Sequence, residues 1–325
     1  MNKYLTIFFL LFLVSCASSN KLSFDSELSE FKYPHAVETF EFSSQRQDLK
    51  MRYMDIGKEN KKTVILLHGK NFSGYYFEKI MNELETKGYR VIVPDQIGFG
   101  KSTKPEHYQY SFAQLARNTH ALLRSLNIEK YTVVGHSMGG MLAVHMSTMF
   151  KLEVQKLVLV NPIGLETYLD LVEFKDPEFF YGNEKKKTVE MFRNYQKKNY
   201  YDGAWDESYE ELLTPFKGWR NGSDWELVAW NNALTYSPIF SDDIVEKFSK
   251  VKAPIVLING TRDTTGPGRG WKRPGVTKTM GDYKKLGKAI KKKNKKVQLI
   301  ELNGLGHMPQ FEDYERFSKV FYPLF

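Results

Sequence analysis

Ser137 stands in Thr132-Val133-Val134-Gly135-His136-Ser137-Met138-Gly139-Gly140, an apolar run that stops at Gly-X-Ser-X-Gly and resumes as the helical pattern Met141-Leu142-Ala143-Val144. A serine on a sharp strand-to-helix turn is held strained with its hydroxyl exposed, where it can act as a nucleophile. Gly135, Gly139 and Gly140 give the room a helix needs to double back close to its strand. Taken alone, the motif could be an ordinary tight turn containing serine. A hydroxyl attacks poorly until a base takes its proton. Imidazole titrates near neutrality and can take and return that proton, and a buried carboxylate fixes its tautomer and stabilises the imidazolium. Both partners follow. Val251 to Gly260 reads as a buried strand with Asp263 just beyond it, and Val297 to Leu302 reads as another that leads through Asn303-Gly304-Leu305-Gly306 to His307. Ser137, Asp263 and His307 thus occur in that chain order, each just past a strand's carboxyl end, where open α/β sheets place their sites.

The other histidines lack that context. His35 and His107 lie in polar stretches, His120 and His145 fall on helical patterns as packing residues, and His136, beside the nucleophile, shapes the site. Thr63 to Phe72 is an early apolar strand running into His68-Gly69-Lys70-Asn71. An oxyanion formed on attack needs two N–H donors. The residue after the nucleophile, Met138, supplies one, and the loop after this early strand the other, from Lys70 with Asn71 as the alternative.

The elements that must position these residues are strands at Val37–Ser43, Leu49–Ile56, Thr63–His68, Tyr89–Pro94, Tyr131–Gly135, Leu157–Asn161, Ile255–Asn259 and Val297–Leu302. Helical patterns separate them from the third onward, notably Ser111–Leu126, Met138–Phe150 and Phe311–Phe321. Strands alternating with helices predict an α/β, doubly wound, mostly parallel eight-stranded sheet, and the first two strands, with no helix between them, an antiparallel edge hairpin. Between Pro162 and Phe240 no buried strand occurs and aromatics crowd in, including four of the five tryptophans. That composition suits a helical lid with some aromatics lining a hydrophobic pocket, although any single one of them can simply pack the lid on the core.

On His68-Gly69, Asp95-Gln96-Ile97-Gly98-Phe99-Gly100-Lys101-Ser102, Gly135 to Gly140, Asp263 and Gly306-His307, the chain resembles a capped α/β-hydrolase-fold serine hydrolase, over nearly everything after residue 37. The resemblance implies a core of residues 37–162 and 241–325 with a helical cap at 163–240, and a structural role for Asp95 in the turn after its strand. It implies a nucleophile class and no particular substrate. Epoxide hydrolases and haloalkane dehalogenases of this superfamily carry Asp where Ser137 stands. Proline-releasing peptidases usually carry His-Gly-Gly-Pro-Gly, where this chain has His68-Gly69-Lys70-Asn71-Phe72. One departure is the long interval from Asp263 to His307, whose stretch Thr264 to Met280 is rich in Gly, Pro, Arg and Lys and could form a loop over the site.

The amino-terminal residues Met1 to Cys16 read as one lysine, a short apolar run and Leu13-Val14-Ser15-Cys16. The run is too short to span a bilayer, which needs roughly 20 apolar residues, and has the form of a bacterial lipoprotein signal. The expectation is a signal over 1–15, acylation at Cys16, a tether over 16–36, and a lipid-anchored place in the bacterial cell envelope. By resemblance to bacterial lipoproteins, Ala17 after the cysteine favours the outer membrane over inner-membrane retention. Cys16 is the chain's single cysteine, so no intramolecular disulfide can form. An ordinary cleaved signal with an incidental cysteine is the alternative.

The composition, 42% hydrophobic and 26% charged, is that of a globular chain. The net charge of +9 is concentrated in Lys284 to Lys296, which holds eight lysines. The default reading is a solvated helix face, and contact with anionic lipid headgroups is the alternative. The charge alone does not support a nucleic-acid partner. No cluster has metal-ligand spacing, no phosphate-binding glycine loop occurs, and no cofactor is called for. The function expected is hydrolysis of a carboxylic ester of a moderately hydrophobic small molecule through an acyl-enzyme. The alternatives are carbon–carbon bond hydrolysis of the meta-cleavage type and a binding lipoprotein on a hydrolase scaffold.

Overall fold

The computed structural model describes residues 21–325. Eight strands form one sheet: β1 (Val37–Ser44), β2 (Gln47–Ile56), β3 (Lys62–Leu67), β4 (Tyr89–Pro94), β5 (Tyr131–His136), β6 (Val154–Val160), β7 (Ile255–Gly260) and β8 (Val297–Leu302). Their order across the sheet is β1-β2-β4-β3-β5-β6-β7-β8. β1 and β2 form an antiparallel hairpin, β2 runs antiparallel to β4, and the remaining pairs are parallel. The expected fold class and the expected edge hairpin are both present.

Each central strand buries both faces, which is why it reads as a continuous apolar run. Ile65, Leu67, Val133, Leu157, Leu159 and Leu257 point into one hydrophobic core. Their alternate neighbours Val64, Leu66, Val134, Val158, Val160 and Ile258 point into another. Helices α1 (Glu78–Thr86), α2 (Phe112–Ser125) and α3 (Met138–Met149) divide between the faces. Ile80 and Leu84 of α1 enter the second core, whereas Leu115 and Leu122 of α2 and Met141 and Leu142 of α3 enter the first.

The inserted region carries α4 (Pro177–Lys186), α5 (Val189–Asn199), α6 (Glu207–Glu211), α7 (Thr214–Asn221), α8 (Trp225–Leu234) and α9 (Tyr236–Ser241). The chain then returns to the core with α10 (Tyr283–Lys293), α11 (Pro309–Glu312) and α12 (Tyr314–Phe321). The single helix expected over Phe311–Phe321 is therefore two. Asp313 has extended backbone and its carboxylate accepts from Arg316 N–H, so it caps the second helix and ends the first.

Two expectations need correction. Residues 21–36 of the expected tether are not a free linker. Phe24 and Leu28 are buried with Phe216, Trp219 and Trp225 of the cap, and Phe24 N–H donates to Gly218 O at 3.0 Å. Tyr33 then reaches the core, donating to Asp95 Oδ2 at 2.6 Å. Phe31 packs on the same cluster, so a few apolar side chains dock a segment otherwise rich in polar residues. Secondly, the stretch Thr264 to Met280, assigned to the core, packs on the cap. Trp271 lies 5.4 Å from Phe179 and 6.0 Å from Phe240 by ring centroid, and Val172 bridges to Lys272. The expected signal and Cys16 lie outside the described residues.

Candidate active site

Ser137 occupies the turn between β5 and α3 with φ 55° and ψ −120°, a region costly for a residue with a Cβ. The surroundings enforce it. Ser137 N–H donates to Val160 O at 3.2 Å, and Ser137 O accepts from Gly140 and Ile163 N–H at 2.9 and 3.2 Å. A Cβ on Gly139 would stand 2.1 Å from Leu67 O, so no larger residue fits where the helix crosses the strand end.

The structure brings Ser137, Asp263 and His307 together. His307 Nε2 is 2.9 Å from Ser137 Oγ, and His307 Nδ1 is 2.7 Å from Asp263 Oδ2. All three are buried, with Ser137 the most open at 7%. Burial opposes ionisation of Asp263. The adjacent His307, the Asn161 amide and Thr265 N–H outweigh it and hold the carboxyl below its ordinary value. Oδ1 accepts from Thr265 N–H at 2.7 Å, so the long interval beyond Asp263 begins by securing the acid. Arg262 and Glu312 pair across the base of the His307 loop, and Glu312 accepts from Gly306 N–H at 2.6 Å.

The loop after β3 passes directly over the serine, since a Cβ on Gly69 would stand 3.1 Å from Ser137 Cβ. Gly69 N–H is already engaged by Tyr76 Oη at 3.0 Å. Lys70 N–H has no protein acceptor among the described residues, and Met138 N–H, at the first position of α3, has no intrahelical partner. Asn71 N–H likewise has no protein acceptor among the described residues, so the loop offers Lys70 or, as the alternative, Asn71 beside Met138, where the helix dipole of α3 adds partial positive charge.

His136 is not free to act as a base. Its Nε2–H donates to His307 O and its Nδ1 accepts from Tyr76 Oη, each at 3.0 Å. Burial pushes it down to about 3, so the ring is neutral. The chain Gly69 N–H to Tyr76 to His136 to His307 O therefore ties the Lys70 loop to the backbone of His307. His120 on α2 and His145 on α3 pair with Glu153, just before β6, and with Asp242, just after α9. Asp95 accepts from Gly74 N–H and Lys101 N–H at 2.6 and 2.7 Å, a structural role.

Residues not singled out from sequence complete the site. Asn161, just past β6, donates from Nδ2 to Asp263 Oδ2 at 2.8 Å and accepts from Gly260 N–H at 3.1 Å. Its position after a strand end was the available signal, but Asn is common in turns for other reasons. A cavity of about 380 Å³ opens above Ser137, walled by Phe192, Tyr195, Tyr200 and Tyr236 of the cap and by Arg269 and Trp271 of the long loop. The cap aromatics that face the site are thereby identified, and the loop does lie over it.

The family model described as the alpha/beta hydrolase fold matches residues 62–314. A "probable hydrolytic enzyme" of Pseudomonas aeruginosa PAO1 has a crystal structure that superposes with a TM-score of 0.90 at 38% identity, over 93% of this chain and 98% of that one. The AB hydrolase superfamily protein YisY of Bacillus subtilis is 26% identical over 277 residues, 82% of this chain and 91% of the relative. The 2-hydroxy-6-oxo-6-(2'-aminophenyl)hexa-2,4-dienoic acid hydrolase of Metapseudomonas resinovorans is 26% identical over 76% of this chain and 81% of its own length. With the eight-stranded sheet and its inserted helices, these likenesses establish that the chain is a hydrolase belonging to the alpha/beta hydrolase fold family.

Proposed function

We propose that the chain is a serine hydrolase that cleaves a carboxylic ester of a moderately hydrophobic small molecule through an acyl-enzyme. The observation that carries this reading is the pair of contacts on one imidazole, 2.9 Å to Ser137 Oγ and 2.7 Å to Asp263 Oδ2. His307 Nε2 takes the Ser137 proton as Oγ attacks the carbonyl carbon. Met138 and Lys70 N–H receive the oxyanion, each such donor being worth roughly 10²–10³ in rate. The imidazolium, stabilised by Asp263, gives its proton to the departing alcohol. A water deprotonated by His307 then attacks the acyl-enzyme, and the proton returns to Ser137 Oγ as the acid leaves. The largely aromatic wall of the cavity suits an apolar acyl or alcohol group.

A second reading, carbon–carbon bond hydrolysis of the meta-cleavage type, is favoured by the likeness to the Metapseudomonas enzyme. A panel of benzyl and alkyl esters beside a vinylogous 1,5-diketone separates the two. Turnover of esters, lost in Ser137→Ala, is expected. Turnover of the diketone alone would transfer the assignment to the second reading, and ester turnover surviving Ser137→Ala would overturn both.

We propose further that Cys16 is acylated and anchors the protein in the bacterial cell envelope, with the outer membrane favoured. The support is Leu13-Val14-Ser15-Cys16 after a short apolar run, and the single cysteine. Incorporation of labelled palmitate into the wild type and not into Cys16→Ser is expected. Equal incorporation would refute the anchor.

A further inference from the structure

Three cationic side chains, Lys70, Lys187 and Arg269, line the cavity above Ser137, and no carboxylate does. Their partners differ. Lys187 Nζ is 2.6 Å from Glu184 Oε1, which also accepts from Tyr236 Oη at 3.0 Å, so this carboxylate is engaged. Lys70 is 9% exposed. Its ammonium donates to two neutral acceptors of the cap, Asn232 O and Thr235 Oγ1, both at 2.7 Å, and lies 4.0 Å from the centroid of the Tyr236 ring. An ammonium has three N–H donors. Beyond these two oxygens and the Tyr236 ring face, the third meets no protein acceptor among the described residues, and no carboxylate lies within 4.0 Å. Arg269, exposed at the cavity mouth, donates to Thr264 O and Asn199 Oδ1, both neutral.

Glu184 pairs with Lys187, and its charge reaches the Lys70 ammonium only from beyond salt-bridge distance. Buried charges are ordinarily paired, because desolvation without a counter-ion is costly. Burial pushes the Lys70 ammonium down to about 7, and a bound anion would raise it again. The cavity wall thus carries a lysine amine fixed by two neutral acceptors, with no carboxylate in salt-bridge contact.

We infer that the site selects esters whose acyl part carries a carboxylate a few bonds from the scissile carbonyl, and that Lys70 Nζ receives that carboxylate. The chemical class is a hemiester of a dicarboxylic acid, with Arg269 adding positive potential at the entrance. The inference rests on the serine-esterase reading of the same site. One residue then serves both ends of the acyl group: the Lys70 N–H meets the carbonyl oxygen and its ammonium meets the carboxylate. The aromatic walls cover the methylenes between. A lysine that only tied the cap to the core would hold the same two cap acceptors without conferring charge selectivity.

The test compares kcat/KM for monobenzyl glutarate and benzyl pentanoate, which differ by a carboxylate in place of a terminal methyl. It uses wild type, Lys70→Met and Lys70→Arg. The ratio of the two substrates is taken within each protein, so that a general loss of activity cancels. The wild type is expected to prefer the hemiester tenfold or more. That ratio should fall to about one or below in Lys70→Met and be partly kept in Lys70→Arg. No preference in the wild type, or an unchanged ratio in Lys70→Met, would overturn the inference. Calorimetric binding of both esters to Ser137→Ala, with and without Lys70→Met, reads the same selectivity without turnover. It decides the matter even if neither ester is cleaved: tighter binding of the hemiester that depends on Lys70 supports the inference, and equal binding overturns it. Fluorophosphonate labelling of Ser137 separates the failures, since a protein that labels but shows no charge preference keeps the esterase reading and loses this one.

Discussion

Asn161 donates its side-chain N–H to Asp263 Oδ2, the same oxygen that faces His307 Nδ1, at 2.8 and 2.7 Å. One carboxylate oxygen therefore carries both the support and the function, and the support comes from the neighbouring strand end. Asn161 Nδ2 also lies 3.2 Å from Gly306 O, so one amide braces the acid and the loop of the base together.

Asn161→Ala removes a hydrogen bond to a charged group and leaves Gly260 N–H unpaired in a buried site. The stability cost expected is about 2 kcal/mol, and kcat should fall roughly tenfold or more as His307 loses its fixed partner. The pH dependence follows from the lowered Asp263 value. A depressed folded value contributes stability that is fully present above the ordinary carboxylate value, near 4. That stability is lost as pH falls through the folded value. The gap between wild type and Asn161→Ala in urea midpoints should therefore be full at pH 7 and narrow in acid. A gap that widened in acid would contradict the account.

Lys70→Met should stabilise the unliganded protein, and most at low pH. The folded ammonium is pushed down to about 7 by burial, against Glu184 and Lys187 acting in opposite senses from α4 and the residue after it. The unfolded lysine titrates near 10.4. Between those values the unfolded chain binds more protons, so wild-type stability rises with pH across the window. Well below about 7 the buried charge is fully formed and its cost is largest. The variant should exceed wild type by about 1–3 kcal/mol at pH 6, with the advantage shrinking toward pH 10. Urea unfolding at pH 6 and pH 9 measures it.

The segment before β1 acts as a strap from cap to core. Leu28 is fully buried, Trp219 Nε1 donates to Asp25 O at 3.0 Å, and Ser26 N–H donates to Asp224 Oδ2 at 2.8 Å. Leu28→Ala should cost about 3 kcal/mol. The loss should appear first as local opening, so limited proteolysis is expected to cut between α6 and α8 in the variant before the sheet unfolds. Cleavage at the wild-type rate would show that the strap does not hold the cap.

The strands were legible because a parallel strand buried on both faces can be little else than an unbroken apolar run, as Thr63 to Leu67 and Ile255 to Ile258 illustrate. Ser137, Asp263 and His307 were legible because each follows such a run in the required order. Asn161 was not, since its partner lies 102 positions away and nothing local distinguishes it from a turn residue. The strap was hidden by its own composition: Lys, Ser, Asp and Glu dominate residues 21–32, and Phe24 and Leu28 reveal their burial only against Trp219 and Trp225. Which cap aromatics reach the cavity depends on how α5 and α9 lie over the sheet, and that is a property of tertiary packing. The setting of the Lys70 side chain was equally invisible, because its acceptors, Asn232 and Thr235, come from the other side of the cap junction.

The most direct test of the central claim is intact mass after fluorophosphonate treatment of the form lacking residues 1–16, beside Ser137→Ala. A serine activated by His307 and Asp263 at the recorded distances predicts one phosphonyl adduct per wild-type chain and none on the variant. Equal labelling of both proteins, or no labelling of a folded wild type, would contradict it.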